Sequence, residues 1–165
     1  MFTLVHDHPS LTALDLGNSE NIKNRNRIYD EGLQALVEGM TTSKSGFCLI
    51  SELHLQSACI SGEGLQVLQS LQQTKIDLQI LDLAFNDLGN EAAYHLQYVI
   101  PTLVSLNLST TKLGLKGCLE LARHFNIFSE ENGVQYSALK YLDLSNNHIG
   151  TEGFTKLISK LRYST

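Results

Sequence analysis

Apolar residues in this chain recur in one figure. A leucine is followed three positions on by a second and two further on by a third; a polar residue and then an aliphatic one close the figure. The last copy shows it whole. Leu139, Leu142 and Leu144 lead to Asn147 and Ile149, then to Gly150, Glu152 and Gly153, and to a run in which Phe154, Leu157, Ile158 and Leu161 share one helical face. Counting the first leucine as step 1, the spacing predicts a short strand over steps 3–6, a turn after it, and an amphipathic helix. Such a unit cannot bury both apolar faces alone and needs copies of itself on either side.

The chain supplies them. Ile50, Leu53, Leu55, Ala58 and Ile60 form one copy, Leu78, Leu81, Leu83, Asn86 and Leu88 another, and Leu103, Leu106, Leu108, Thr111 and Leu113 a third. The first copy opens with Leu11, Leu14 and Leu16, but its turn residues, Asn26 and Ile28, come seven positions late. Starts near 11, 50, 78, 103 and 139 give intervals of 39, 28, 25 and 36 residues. The two long intervals hold a basic insertion at about 18–25 and a polar stretch at 126–137, expected to be a loop. Removing them leaves a period in or near the range of roughly 20–29 residues that marks stacked strand–helix repeats.

Each step has a physical task. Steps 1, 4, 6 and 11 stack aliphatic side chains between neighbouring coils. The step-9 amides of Asn26, Asn86 and Asn147 are expected to satisfy backbone groups that the turn leaves unpaired; Thr111 does part of this, and Ala58 leaves its coil in need of another solution. Glu31, Glu63, Glu91 and Glu152 complement the positive end of a helix. The following residue is always small (Gly32, Gly64, Ala92, Gly117, Gly153), which is read as a close approach of helix to sheet.

These residues resemble the ribonuclease-inhibitor-like class of leucine-rich repeats, whose motif runs LxxLxLxxNxIGxEG. LKYLDLSNNHIGTEG at 139–153 matches it throughout and LQILDLAFNDLGNEA at 78–92 nearly so. The resemblance implies an α/β fold: one domain over 1–165, a right-handed solenoid with five parallel strands on the concave face and helices on the convex face. Residues 1–10 look like the tail of a preceding repeat. Neither end reads as a polar cap, so a longer protein, or end-to-end self-association through uncapped repeats, is expected.

Composition narrows the function. A net charge of −5 argues against a nucleic-acid partner. No stretch reaches transmembrane length and the N-terminus has no signal-peptide pattern. Cys48, Cys59 and Cys118 are odd in number and far apart, which favours reduced thiols and a cytoplasmic protein without a membrane partner. No cofactor or metal is expected, since the spacing of His6, Asp7 and His8 matches no common zinc motif.

In the class it resembles, the concave face is the usual partner surface. Step 5 places Asp15, His54, Asp82, Asn107 and Asp143 in one column, and step 3 adds Glu52, Ile80 and Tyr141; Phe85 follows at step 8. An acidic and polar face with apolar anchors suits a partner protein with a basic patch. Asp15, His54 and Asp82 also evoke acid–base chemistry, but an open sheet face has no pocket to exclude water. The expected function is therefore protein binding without catalysis, as in an intracellular sensor or a bacterial effector delivered into a host cytosol. The alternative comes from the insertion, which carries Lys23, Arg25 and Arg27. NRIYDEG at 26–32 resembles the arginine-bearing segment of Ran GTPase activators, which implies phosphoryl-transfer assistance by Arg27.

Overall fold

A computed structural model of the chain describes residues 10–18, 22–42, 48–129 and 133–161. Five short strands form one parallel sheet in the order β1 (Ala13–Asp15), β2 (Glu52–His54), β3 (Ile80–Asp82), β4 (Ser105–Asn107) and β7 (Tyr141–Asp143). The register follows the repeat: Leu14, Leu53, Leu81, Leu106 and Leu142 are successive partners, as are Asp15, His54, Asp82, Asn107 and Asp143. The fold is the α/β solenoid that the resemblance implies.

A helix follows each strand: α1 (Tyr29–Thr41), a 3-10 helix (Glu63–Gln73), α2 (Glu91–Leu96), α3 (Leu115–Arg123) and α4 (Gly150–Leu161). The second departs from the α-helix expected. Leu65, Leu68 and Leu71 are its buried residues, spaced by three, and a helix of three residues per turn keeps such a row on one face. The expected loop at 126–137 also differs: β5 (Asn126–Ser129) and β6 (Gly133–Tyr136) pair antiparallel. The apolar face of α4 is narrower than the spacing predicts. Gly153 and Leu157 are buried and Leu161 packs against the core, a stripe spaced by four, whereas Phe154 lies one residue off it and is 56% exposed.

Leucine stacking between coils supplies the core. Ile50, Leu53, Leu55 and Ile60 are fully buried, as are their counterparts in coils three and four. In coils one and five the same steps, Leu11, Leu14, Leu16 and Ile28, and Leu139, Leu142, Leu144 and Ile149, are only partly buried.

Two kinds of turn alternate along the stack. In coils two and four, where step 9 is Ala58 or Thr111, the backbone turns left-handed at step 10 (Cys59, φ 65°; Lys112, φ 61°). In coils one, three and five, where step 9 is asparagine, it does so at step 12 (Tyr29, φ 57°; Gly89, φ 60°; Gly150, φ 65°). In coils one to four the step-11 amide is then satisfied by step 9 of the next coil. Ile60 and Leu113 donate to the side-chain oxygens of Asn86 and Asn147 at 3.1 and 2.9 Å. Ile28 and Leu88 donate to the backbone carbonyls of Ala58 and Thr111 at 3.0 and 3.2 Å. Coil two is thus served by Asn86, one coil on, whose amide nitrogen also donates to Leu55 O at 2.8 Å.

Helix starts are linked across coils in the same way. The Ser61 N–H and hydroxyl both donate to the Asp30 carboxylate (2.8 and 2.6 Å), and Gly114 and Gly117 both donate to Asn90 Oδ1 at 2.9 Å. Odd coils therefore cap the helices of the even coils that follow. In the even coils the small residue at the helix start makes room for this contact: a Cβ on Gly64 would collide with the Asp30 carboxylate, and one on Gly117 with Leu113 and Asn90 Oδ1, whereas on Gly32 it would meet Ile28 and on Gly153 Cys118 and Ile149.

Candidate functional site

The open sheet face gathers most of the residues that the sequence singles out. Asp15, Glu52, His54, Ile80, Asp82, Asn107, Tyr141 and Asp143 stand in two columns whose members pair across the five strands. Tyr141 is 56% exposed, and Ile80 and Glu52 are half-buried. His54 Nε2 lies 4.0 Å from Glu52 Oε2, with both side chains open to solvent. Phe85 does not belong to these columns. It lies past the end of β3, in the turn, with φ 59° and 40% exposure.

The carboxylates of the step-5 column do more than face solvent. Asp15 Oδ1 accepts from the Gly17 N–H at 2.9 Å, Asp82 Oδ1 from Ala84 at 3.0 Å, Asn107 Oδ1 from Ser109 at 3.0 Å and Asp143 Oδ1 from Ser145 at 2.8 Å. A short acidic or amide side chain that bonds the amide two residues on turns the backbone out of the strand. In the sequence, only the spacing of Asp15 and Gly17 signals this role. Asp82 is the most committed: its second oxygen accepts from Gln56 Nε2 at 2.9 Å and Asn107 Nδ2 at 3.1 Å. Asp15 and Asp143 each keep one oxygen outside these bonds.

The insertion divides its arginines. Arg25 helps line a depression of about 550 Å³ that also contains Phe85 and Lys112. Arg27 is exposed and is not among the residues lining it. Lys23 lies on the 3-10 turn Ile22–Asn24. Asn26 donates to Leu16 O at 3.0 Å, so it does step-9 work despite the delay. His6, Asp7, His8, Glu130 and Glu131 lie outside the described residues. Among the described residues, no group of three or more His, Cys, Asp or Glu side chains comes together as a metal site, and no helix is long and apolar enough to cross a membrane.

Shifted ionisations lie away from this face. Burial pushes the Cys118 thiol up, which keeps it protonated and unreactive at neutral pH. His124 follows α3. Burial lowers its imidazole below the ordinary 6.5; Glu120 works against this and Arg123 with it. Its Nε2 is buried without a hydrogen bond, 3.6 Å from Glu120 Oε1. Neutral imidazole fits both facts better than an ion pair. The unfolded chain therefore binds the proton first, and stability falls as pH drops from about 6.5 through the lower folded value. Replacing His124 with asparagine is expected to flatten the fall in urea midpoint between about pH 7 and 5; an unchanged slope would contradict this assignment.

Comparison with known proteins bears on three of the five coils directly. Residues 48–68, 75–96 and 138–157 match the family model described as Leucine Rich repeat. These are coils two, three and five; the others hold the insertion and Thr111. NACHT, LRR and PYD domains-containing protein 12 of Mus musculus is 30% identical over 161 residues, a match covering 93% of this chain and 13% of the relative. The chain spans a small part of that protein's length.

Proposed function

Because this chain is a leucine-rich repeat protein, we propose that it acts as a docking surface, binding a partner protein on its concave sheet face without catalysing a reaction. The observation that carries this reading is the sheet face itself. Five strands in unbroken register hold Asp15, Glu52, His54, Asp82, Asn107 and Asp143 beside Ile80 and the exposed ring of Tyr141. A rigid polar surface with a projecting aromatic is the composition of an interface core and rim. The acidic column selects a partner with a basic patch, mainly through approach and orientation.

The motif at 139–153 and the asparagine turns of coils three and five support a ribonuclease-inhibitor-like class of repeat. A cytoplasmic location fits three cysteines that are all free thiols. The relative's name joins an LRR to NACHT and PYD domains, which supports a role as the recognition segment of a larger sensor. The activator reading finds less support, since the depression beside the insertion is lined by Arg25 and not Arg27.

Asparagine at positions 15 and 143 preserves the bonds to Gly17 and Ser145 while removing the charge, as Asn107 shows in coil four. The doubly substituted chain, Asp15→Asn with Asp143→Asn, is expected to retain partners from a lysate roughly three- to tenfold less well than wild type. Glu63→Gln, in a groove among the helices, is expected to change nothing. Equal losses from both changes would sink the concave-face reading.

A further inference from the structure

The strand-to-helix turns beyond the end of the sheet border the open depression of about 550 Å³, whose lining includes Arg25, Cys59, Phe85, Asp87, Thr110 and Lys112. Resting on the docking reading above, we propose that this depression seats an acidic side chain, together with an apolar neighbour, from an extended segment of the partner protein.

The first ground is Phe85. Step 8 is left-handed in coils two to five, at Ser57 (φ 56°), Phe85 (59°), Thr110 (56°) and Asn146 (55°). Asparagine suits that conformation; a bulky aromatic does not. Phe85 is also 40% exposed, so neither backbone preference nor core packing accounts for it. An unfavourable residue held on the surface beside a concavity points to a contact made outside the chain.

Charge names the contact. Arg25 forms no ion pair or hydrogen bond among the described residues. Lys112 Nζ reaches Asp87 Oδ2 at 2.6 Å, but both side chains are mostly exposed, and such a pair is weak and exchangeable. An incoming carboxylate meets the planar fork of Arg25 in two parallel hydrogen bonds and competes with Asp87 for Lys112. A basic occupant would face two cations and one carboxylate. The rim therefore carries the sign opposite to the concave column, and a partner that answers both is held in one orientation. The volume lies within the range of ligand pockets, roughly 300–1,000 Å³, enough for a phenylalanine and a glutamate side by side.

The test uses two capped peptides, Gly-Ser-Phe-Glu-Ser-Gly and its Phe-Gln counterpart, titrated into the uniformly ¹⁵N-labelled chain. The glutamate peptide is expected to move the amides of Cys59, Asp87, Thr110 and Lys112 saturably. The glutamine peptide should bind about tenfold more weakly, and Arg25→Ala should weaken the glutamate peptide as much. Phe85→Asn should abolish the shifts while raising the thermal midpoint, which a merely structural role for the ring would lower. No saturable shift at millimolar peptide, equal binding of both peptides, or a lowered midpoint in Phe85→Asn would overturn the proposal. Peptide binding here, with partner capture indifferent to Asp15 and Asp143, would remove the concave-face reading and leave the pocket. The reverse pattern would remove the pocket alone.

Discussion

Replacing Asn86 with alanine is expected to lower the stability of the chain by about 3 kcal/mol, read as a drop in urea midpoint. The side chain is 3% exposed. Its oxygen accepts from the Ile60 N–H at 3.1 Å, and its nitrogen donates to the carbonyls of Leu55, Leu83 and Ala84 at 2.8, 2.9 and 3.3 Å. Alanine would take this partner from the Ile60 N–H and from the Leu55 and Leu83 carbonyls between coils two and three, while Ala84 O keeps the Ser57 N–H at 2.9 Å; a buried group left unsatisfied costs about 1–3 kcal/mol. Asn26→Ala removes one bond, to Leu16 O, from an exposed residue, so its cost should stay below about 1 kcal/mol. A loss for Asn86 no greater than that for Asn26 would show that the asparagine between coils is not the joint described.

Truncating Leu106 to alanine is expected to cost about 3–4 kcal/mol. Leu106 sits on β4 between Leu81 and Leu142 and has no exposed surface. Packed on both sides, it loses transfer energy and leaves a cavity that the flanking strands cannot close. Leu142 occupies the same step on β7 but is only partly buried. Its truncation should cost about half as much, since solvent already reaches part of the side chain. Stability in such a stack is close to a sum over coils and their interfaces, and the contrast between these two leucines measures one interface. Equal costs would contradict the stacking.

Much of this architecture is legible in the chain. Leu53, Leu81 and Leu106 fall in register because a step count of four places them there, and the acidic column follows from the residue beside each. The three-residue spacing of Leu65, Leu68 and Leu71 signals the 3-10 helix, and helix periodicity in the other coils masks it. Other features depend on partners remote in sequence. Asn90 is 27 residues from Gly117 and Asp30 is 31 from Ser61, so no local pattern shows one coil capping the next. The same holds for Ala58, which lacks the amide expected at its own step because Asn86 supplies it from the following coil. Within the candidate site, the columns could be read from spacing. The left-handed φ of Phe85 could not, because phenylalanine does not ordinarily adopt it. Nor could the depression that Phe85 shares with Arg25, from an insertion some 60 residues earlier in the chain.

The docking reading assigns different roles to two tyrosines of nearly equal exposure. Tyr141, at 56%, stands on the sheet face; Tyr94, at 53%, stands on α2. Replacing each in turn with the photoreactive p-benzoylphenylalanine and irradiating living cells compares the two faces with the same chemistry. Position 141 is expected to trap a discrete protein adduct that is lost in the Asp15→Asn, Asp143→Asn background, and position 94 to trap none. A discrete adduct from position 94 alone, or equal adducts from both positions, would contradict the assignment of the concave face as the docking surface.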